Sequence, residues 1–177
     1  RADVGPLTNR RVLNIAVPIV LSNATIPLLG LVDTAVVGRL GEAAPIGAVG
    51  LGAVVLTSIY WIFGFLRMGT TGLIAQSHGT GDDAESGAHL LRALFIAFVA
   101  GLSFVILQLP IFWAAFQLAP ASDAVETLAR DYLGIRIWGA PATIGLYAVT
   151  GWLIAIERTR AVLILQLWQN GINVILS

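Results

Sequence analysis

The sequence has 177 residues, of which 57% are hydrophobic and only 11% are charged, and its formal net charge is zero. Soluble domains carry about one charged residue in four, so this composition excludes an ordinary soluble protein and predicts one embedded in a membrane. A balanced charge offers no electrostatic footprint for nucleic acid, and the lack of cysteine excludes disulfides and thiolate metal sites.

Long stretches without charge recur along the chain, and a membrane-spanning helix needs about 20 largely apolar residues. Because hydrocarbon offers no water to the backbone, each stretch is expected to form an α-helix. The predicted helices cover residues 11–38, 46–77, 84–113, 123–155 and 160–177. The chain starts without methionine and is still apolar where it stops at Ser177, so we expect a piece of a longer protein.

Arginines flank the predicted helices unevenly, and positive residues favour the cytoplasmic side. The side of the N-terminus has the larger share: Arg1, Arg10, Arg11, Arg92, Arg158 and Arg160. The pattern predicts a multi-pass protein of the cell inner (plasma) membrane with a cytoplasmic N-terminus.

In the third predicted helix Ala93, Ala97 and Gly101 are spaced by four, which lets a neighbouring helix approach closely.

Asp33 is an acid deep in the first predicted helix, where insertion into a bilayer costs about 2.5–3.5 kcal/mol. At about 100° per residue it shares a face with small and polar residues: Ser22, Asn23, Pro27, Gly30 and Thr34. A proline inside a helix also frees the carbonyl four residues earlier, so Pro18 frees that of Asn14 and Pro27 that of Asn23. This face is predicted to line a cavity, although a purely structural role remains the alternative.

Polar residues recur at helical spacing in the last two predicted helices as well. The last helix has Gln166, Gln169, Asn170, Asn173 and Ser177 on one side, and the fourth has Tyr132, Arg136, Gly139, Thr143, Tyr147 and Thr150. From these stripes we select Tyr147, Gln169, Asn170 and Asn173 as candidate cavity residues. Hydrogen bonds between helices would explain each stripe equally well. Arg67 either extends to the interface, pairs with a carbonyl or has a mechanistic role.

Motifs of enzymes are missing from the sequence. It has no glycine-rich phosphate loop with its lysine, no nucleophile elbow, and only two histidines without an acid at metal-ligand spacing. We therefore expect neither an enzyme nor a metal site.

Three segments, in order, resemble the multidrug and toxic compound extrusion (MATE) family, most closely its DinF-like branch. They are NRRVLNIAVPIV at 9–20, VDTAVVGRLG at 32–41 and LRMGTTGLIAQSHGTGD at 66–82. The resemblance implies an all-α integral membrane protein with twelve helices in two six-helix lobes. About five transmembrane helices of the N-terminal lobe would then lie in this chain, and the missing C-terminal lobe would be its partner.

The resemblance also implies export of hydrophobic or cationic small molecules by alternating access, driven by H⁺ or Na⁺ and without another cofactor. The first-helix acid of that family's cation site matches Asp33. A second acid of several members falls at Ser177 here, four residues after the matching Asn173. A lone carboxylate among amides favours H⁺ over Na⁺, since a sodium site generally needs several oxygen ligands, which Asn23, Asn173, Thr34 and freed carbonyls could still supply.

Two other functions remain open at this point. A lipid-linked oligosaccharide flippase of related architecture would be expected to line its cavity with more arginines to bind pyrophosphate. A non-transporting membrane scaffold or enzyme would use Asp33 and the amide stripes only to hold helices together.

Overall fold

A computed structural model describes residues 9–39 and 41–176, and in this range it describes all side chains except those of residues 11, 25–30, 33 and 173–176. Every regular element of the described chain is helical, which confirms the predicted all-α fold. The α-helices are α1 (Asn9–Gly38), α2 (Ala43–Trp61), α3 (Gly64–Gly79), α4 (Asp83–Ile106), α5 (Gln108–Leu118), α6 (Asp123–Arg136), α7 (Ala140–Ala155) and α8 (Thr159–Leu176).

Three helical segments of the described chain are long and apolar enough to cross a membrane: Ala43–Gly79, Asp83–Ile106 and Asp123–Ala155. The helix α1 contributes a shorter apolar stretch, Val12–Ala24. Large apolar side chains remain exposed on the outside of the bundle, among them Phe95, Leu109 and Leu118. Such a surface is stable against lipid rather than water, because lipid tails are as apolar as these side chains.

The predicted helix 46–77 is interrupted between α2 and α3, at Ile62 and Phe63. The amide of Phe63 donates to the carbonyl of Tyr60 at 2.9 Å, in the tighter three-residue spacing. The ring of Phe63 packs edge-on against Phe104 of α4, with centroids 5.5 Å apart. We attribute the break to this packing together with Gly64, which has a low helix propensity.

Prolines explain the other two departures from the predicted helices. Helix 84–113 is divided after Ile106, because Pro110 has no amide to donate to the carbonyl of Ile106. Helix 123–155 contains one 3₁₀ turn, Ile137–Gly139, just before Pro141. Pro141 has no amide to donate to the carbonyl of Ile137. The amide of Ala140 donates to that carbonyl instead.

The helix α7 packs at the centre of the bundle against α3 and α4. The predicted small-residue stripe of α4 makes this contact, since Ala93 and Ala97 are buried together with Ile144 and Ala148 of α7. At Gly101 a Cβ atom would lie only 2.5 Å from the nitrogen of Pro141, so only glycine fits there. The prediction that this stripe admits a neighbouring helix closely is confirmed.

Two other helix pairs complete the bundle. The helices α2 and α6 pack together around a second apolar cluster that includes Leu56, Phe112 and Leu133. The helix α1 packs chiefly against α8. The buried hydroxyl of Thr159 in α8 lies 3.5 Å from the carbonyl of Asn14 in α1, to which it donates. This is the carbonyl that Pro18 leaves without its helical donor.

Candidate functional site

A cavity of about 180 Å³ lies where α1, α3, α7 and α8 meet. Amides, hydroxyls and one guanidinium share its wall with apolar side chains. The lining residues are Ile19, Ser22, Asn23, Arg67, Thr143, Leu146, Tyr147, Thr150, Ile154, Val162, Leu165, Gln166, Gln169 and Asn170.

The helix α8 contributes the amide side of the cavity. Gln166, Gln169 and Asn170 are three and four residues apart, so helical geometry places them on one face. Val162 and Leu165 precede them on the same side and line the cavity too. This face can therefore donate and accept hydrogen bonds while it also offers apolar contact.

Another wall of the cavity comes from α7, which lines the cavity with one side and packs against neighbouring helices with the other. Tyr147 and Thr150 face the cavity, whereas Ile144, Ala148 and Gly151 are buried against the neighbouring helices. The 3.6-residue period of the helix produces this division. The cavity thus borders directly on the tightly packed centre of the bundle.

Arg67 enters the cavity from α3, at the point where α3 crosses α7. A Cβ atom on Gly151 would lie 2.7 Å from the carbonyl oxygen of Arg67 and 3.2 Å from Thr71 Oγ1, so glycine is required for this approach. The Thr71 hydroxyl lies 2.8 Å from the Arg67 carbonyl and 3.1 Å from the Gly151 carbonyl and can donate to either. The backbone beneath Arg67 is thereby fixed against α7.

Positive charge at the cavity is not balanced by an acid within the described part of the chain. Every lining residue apart from Arg67 is uncharged. The contacts between acidic and basic side chains among the described residues lie elsewhere. They join Arg92 to Glu85, Arg130 to Glu126, and two histidines, His78 and His89, to Asp83 and Glu85. The same residues contain no group of three His, Cys, Asp or Glu side chains that could hold a metal ion.

Several residues selected from the sequence meet in this one cavity although they come from four helices: Asn23, Arg67, Tyr147, Gln169 and Asn170. Thr34 is exposed farther along α1 and does not line it. The remaining candidates, Pro27, Gly30, Asp33 and Asn173, belong to α1 and α8, and their side chains lie outside the described residues.

Sequence reasoning did not select four polar residues that line the cavity: Ser22, Thr143, Thr150 and Gln166. Helical periodicity in the sequence could have identified them, because each shares a helical face with a residue that was selected. The apolar wall, which includes Ile19 and Leu146, had no such signal. In an apolar helix the sequence cannot distinguish a cavity-lining leucine from one that faces lipid.

The sequence model of the MatE family matches residues 18–177. The chain is 37% identical over 170 residues to the DNA damage-inducible protein F of Escherichia coli (strain K12), covering 96% of the chain and 37% of that protein. It is 29% identical over 167 residues to "Probable multidrug resistance protein NorM" of Synechococcus sp., covering 91% and 34%. The chain thus spans little more than a third of the length of these relatives.

A solved structure of a MOP superfamily transporter from Pyrococcus furiosus Vc1 has the same fold, with a TM-score of 0.83 at 21% identity. The likeness covers 94% of this chain and 36% of that one. These similarities confirm the predicted MATE resemblance and its DinF-like character. A helical membrane bundle with a polar cavity, matched along nearly its whole length by one family, leaves a single assignment: the chain belongs to the MatE family.

Proposed function

We propose that the chain forms part of the N-terminal lobe of a secondary active multidrug exporter. It would move hydrophobic or cationic small molecules by alternating access, driven by inward flow of H⁺, with Na⁺ as the alternative ion. The observation that carries this proposal is the polar cavity between α1, α3, α7 and α8, in a chain of the MatE family.

The lining of this cavity supports transport better than a scaffold function. Burying an amide or hydroxyl in hydrocarbon costs free energy unless it finds a partner, so polar residues in membrane helices usually face one another, water or a ligand. A scaffold would close these side chains against each other. Here they surround a space of about 180 Å³ that is large enough for water or part of a small molecule.

Asp33 is the proposed coupling carboxylate, on the sequence argument given above. Protonation would remove its charge and change the hydrogen bonding along α1, which would favour one of two arrangements of the helices. An ion can shift such an equilibrium only by the difference between its affinities for the two states. Coupling thus requires that Asp33 bind its proton more tightly in one arrangement than in the other.

The proposal also includes the location and orientation of the protein in the membrane. The protein is a multi-pass membrane protein, and we place it in the inner (plasma) membrane with its N-terminus in the cytoplasm. The opposing wall of the transport pathway would come from a C-terminal lobe. A lipid-linked oligosaccharide flippase is less well supported, since Arg67 is the one cation among the described residues that line the cavity.

The test is ion-driven efflux of a fluorescent cationic dye from membrane vesicles that contain the full-length protein. Asp33→Asn should reduce efflux driven by a pH gradient at least tenfold, because the amide cannot carry the proton. The control is Asp131→Asn, which removes an exposed acid of α6 and should leave efflux within twofold of the original rate. Unimpaired efflux in Asp33→Asn would contradict the proposed coupling. Efflux that responds to a Na⁺ gradient but not to a pH gradient would favour the alternative ion.

A further inference from the structure

We propose that the cavity binds the carboxylate group of an organic acid and that Arg67 is its ionic partner. This inference rests on the proposed function in one respect, since it takes the bound acid to be part of an exported compound. It adds compounds with an acidic group, zwitterions included, to the hydrophobic and cationic ones expected above.

The first step is the charge of Arg67, which no acid balances within the described part of the chain. Its guanidinium carries a positive charge. The side chain is partly buried, and none of the ion pairs in the described part of the chain includes it. A partly buried charge in a membrane helix is costly unless an anion or strong acceptors compensate it. An acid entering the cavity would supply that compensation.

The second step is the fixed position of Arg67. Its backbone is held against Gly151 by close contact, and the Thr71 hydroxyl bonds its carbonyl. The backbone of such a residue loses no further freedom when its side chain binds a ligand. A planar guanidinium fork matches a carboxylate through two parallel hydrogen bonds, which a simple point charge would not favour.

The third step concerns the rest of the lining. The side-chain amides of Gln166 and Gln169 and the hydroxyl of Tyr147 can donate hydrogen bonds to an acid without adding charge. Leu146 and Leu165 offer apolar contact beside them. One cation among neutral donors, as the described lining residues present it, fits an anion of single charge. A phosphate or pyrophosphate group would be expected to have several cations.

The size of the cavity limits the ligand further. An apolar cavity of about 150 Å³ is known to hold benzene, and this one measures about 180 Å³. A group as large as a benzoate would therefore fill it. A larger compound would place only its aromatic or aliphatic acid group here, with the remainder outside.

The experiment titrates purified full-length protein with benzoate, benzamide and benzyltrimethylammonium, observed by ligand NMR. These probes share the ring and differ in charge. Benzoate should bind at least tenfold more tightly than benzamide, since a hydrogen bond to a charged group is stronger than one to its neutral counterpart. Equal affinity for benzoate and benzamide would overturn the proposal. Tighter binding of phenyl phosphate, titrated in the same way, than of benzoate would also overturn it.

Three variants test the role of Arg67 itself. Arg67→Gln should weaken benzoate binding at least tenfold and leave benzamide within twofold, whereas Arg67→Lys should retain part of the preference. The matched control is Arg136→Gln, because Arg136 is an exposed arginine of α6 outside the cavity. Undiminished benzoate binding in Arg67→Gln would refute the assignment. If this variant fails to fold, the comparison of probes on the unaltered protein still decides.

Binding is measured without transport, so the two proposals can fail separately. Selective benzoate binding in a protein that exports nothing would overturn the proposed function and retain this site. Normal dye efflux together with equal affinity for benzoate, benzamide and benzyltrimethylammonium would overturn this site and retain the proposed function.

Discussion

Gly151→Ala tests whether the α3–α7 crossing holds the cavity together. The added methyl group would lie 2.7 Å from the carbonyl oxygen of Arg67 and 3.3 Å from Thr70 Cβ. The nearest of these atoms belongs to the backbone of α3, so it cannot turn aside as a flexible side chain would. The two helices must therefore separate slightly.

The expected cost combines three contributions. Inserting a methyl group into a well-packed interior costs about 1–3 kcal/mol. Weakening the hydrogen bond between Thr71 Oγ1 and the Gly151 carbonyl, now 3.1 Å, adds about 1 kcal/mol. Alanine regains about 1 kcal/mol because it favours a helix over glycine. The free energy of unfolding should therefore fall by about 1–3 kcal/mol.

The assay is equilibrium unfolding of the full-length protein in detergent, followed by tryptophan fluorescence, to which this chain contributes five tryptophans. The control is Gly145→Ala in the same helix, where the new methyl group would meet only Leu94 Cδ2 at 3.9 Å. This control should be unchanged or stabilised by up to about 1 kcal/mol. If Gly151→Ala is as stable as Gly145→Ala, the crossing is not as close as the structure indicates.

Two further experiments address the junction between α3 and α4. Asp82 caps α4, because its Oδ1 accepts a hydrogen bond from the amide of Glu85 at 2.9 Å. Asp82→Ala should therefore lower the free energy of unfolding by about 1 kcal/mol, and Asp82→Asn by only a few tenths. Equal losses in both variants would argue against the cap. The hydroxyls of Ser77 and Ser86 are buried 2.9 Å apart, and a double-mutant cycle with alanine should give a coupling of about 0.5–1.5 kcal/mol; strictly additive effects would show that this hydrogen bond contributes nothing.

Composition and periodicity suffice to predict a helical membrane bundle here, because an uncharged stretch in hydrocarbon has no other stable backbone structure. The interruptions differ in how far they could be foreseen. Those near Pro110 and Pro141 follow from the missing amide of proline. The one at Phe63 depends on its contact with Phe104, about forty positions away, which no local pattern reveals.

The cavity shows the same limit. Helical spacing placed Gln169 and Asn170 on one face of α8 and Tyr147 on a polar face of α7. It could not show that these faces meet, since pairing of helices depends on close contacts such as that of Gly151 with Arg67. Arg67 had several explanations from sequence alone, and its place in the cavity became visible only when α3 and α7 were brought together.

The walls of the cavity differ in how firmly they are held. Arg67 and Tyr147 lie on α3 and α7, whose crossing is fixed by glycine contacts and a shared hydroxyl. Asn23 and Gln166 lie on α1 and α8, which pack mainly on each other and touch α7 only lightly. If the proposed exporter changes shape within this lobe, the α1–α8 pair is the part that can move at the smaller cost in packing. Such a movement would change the shape of the cavity around a stationary Arg67, and the affinity of the cavity for an acid would change as a result. Transport requires such a difference in affinity between two states.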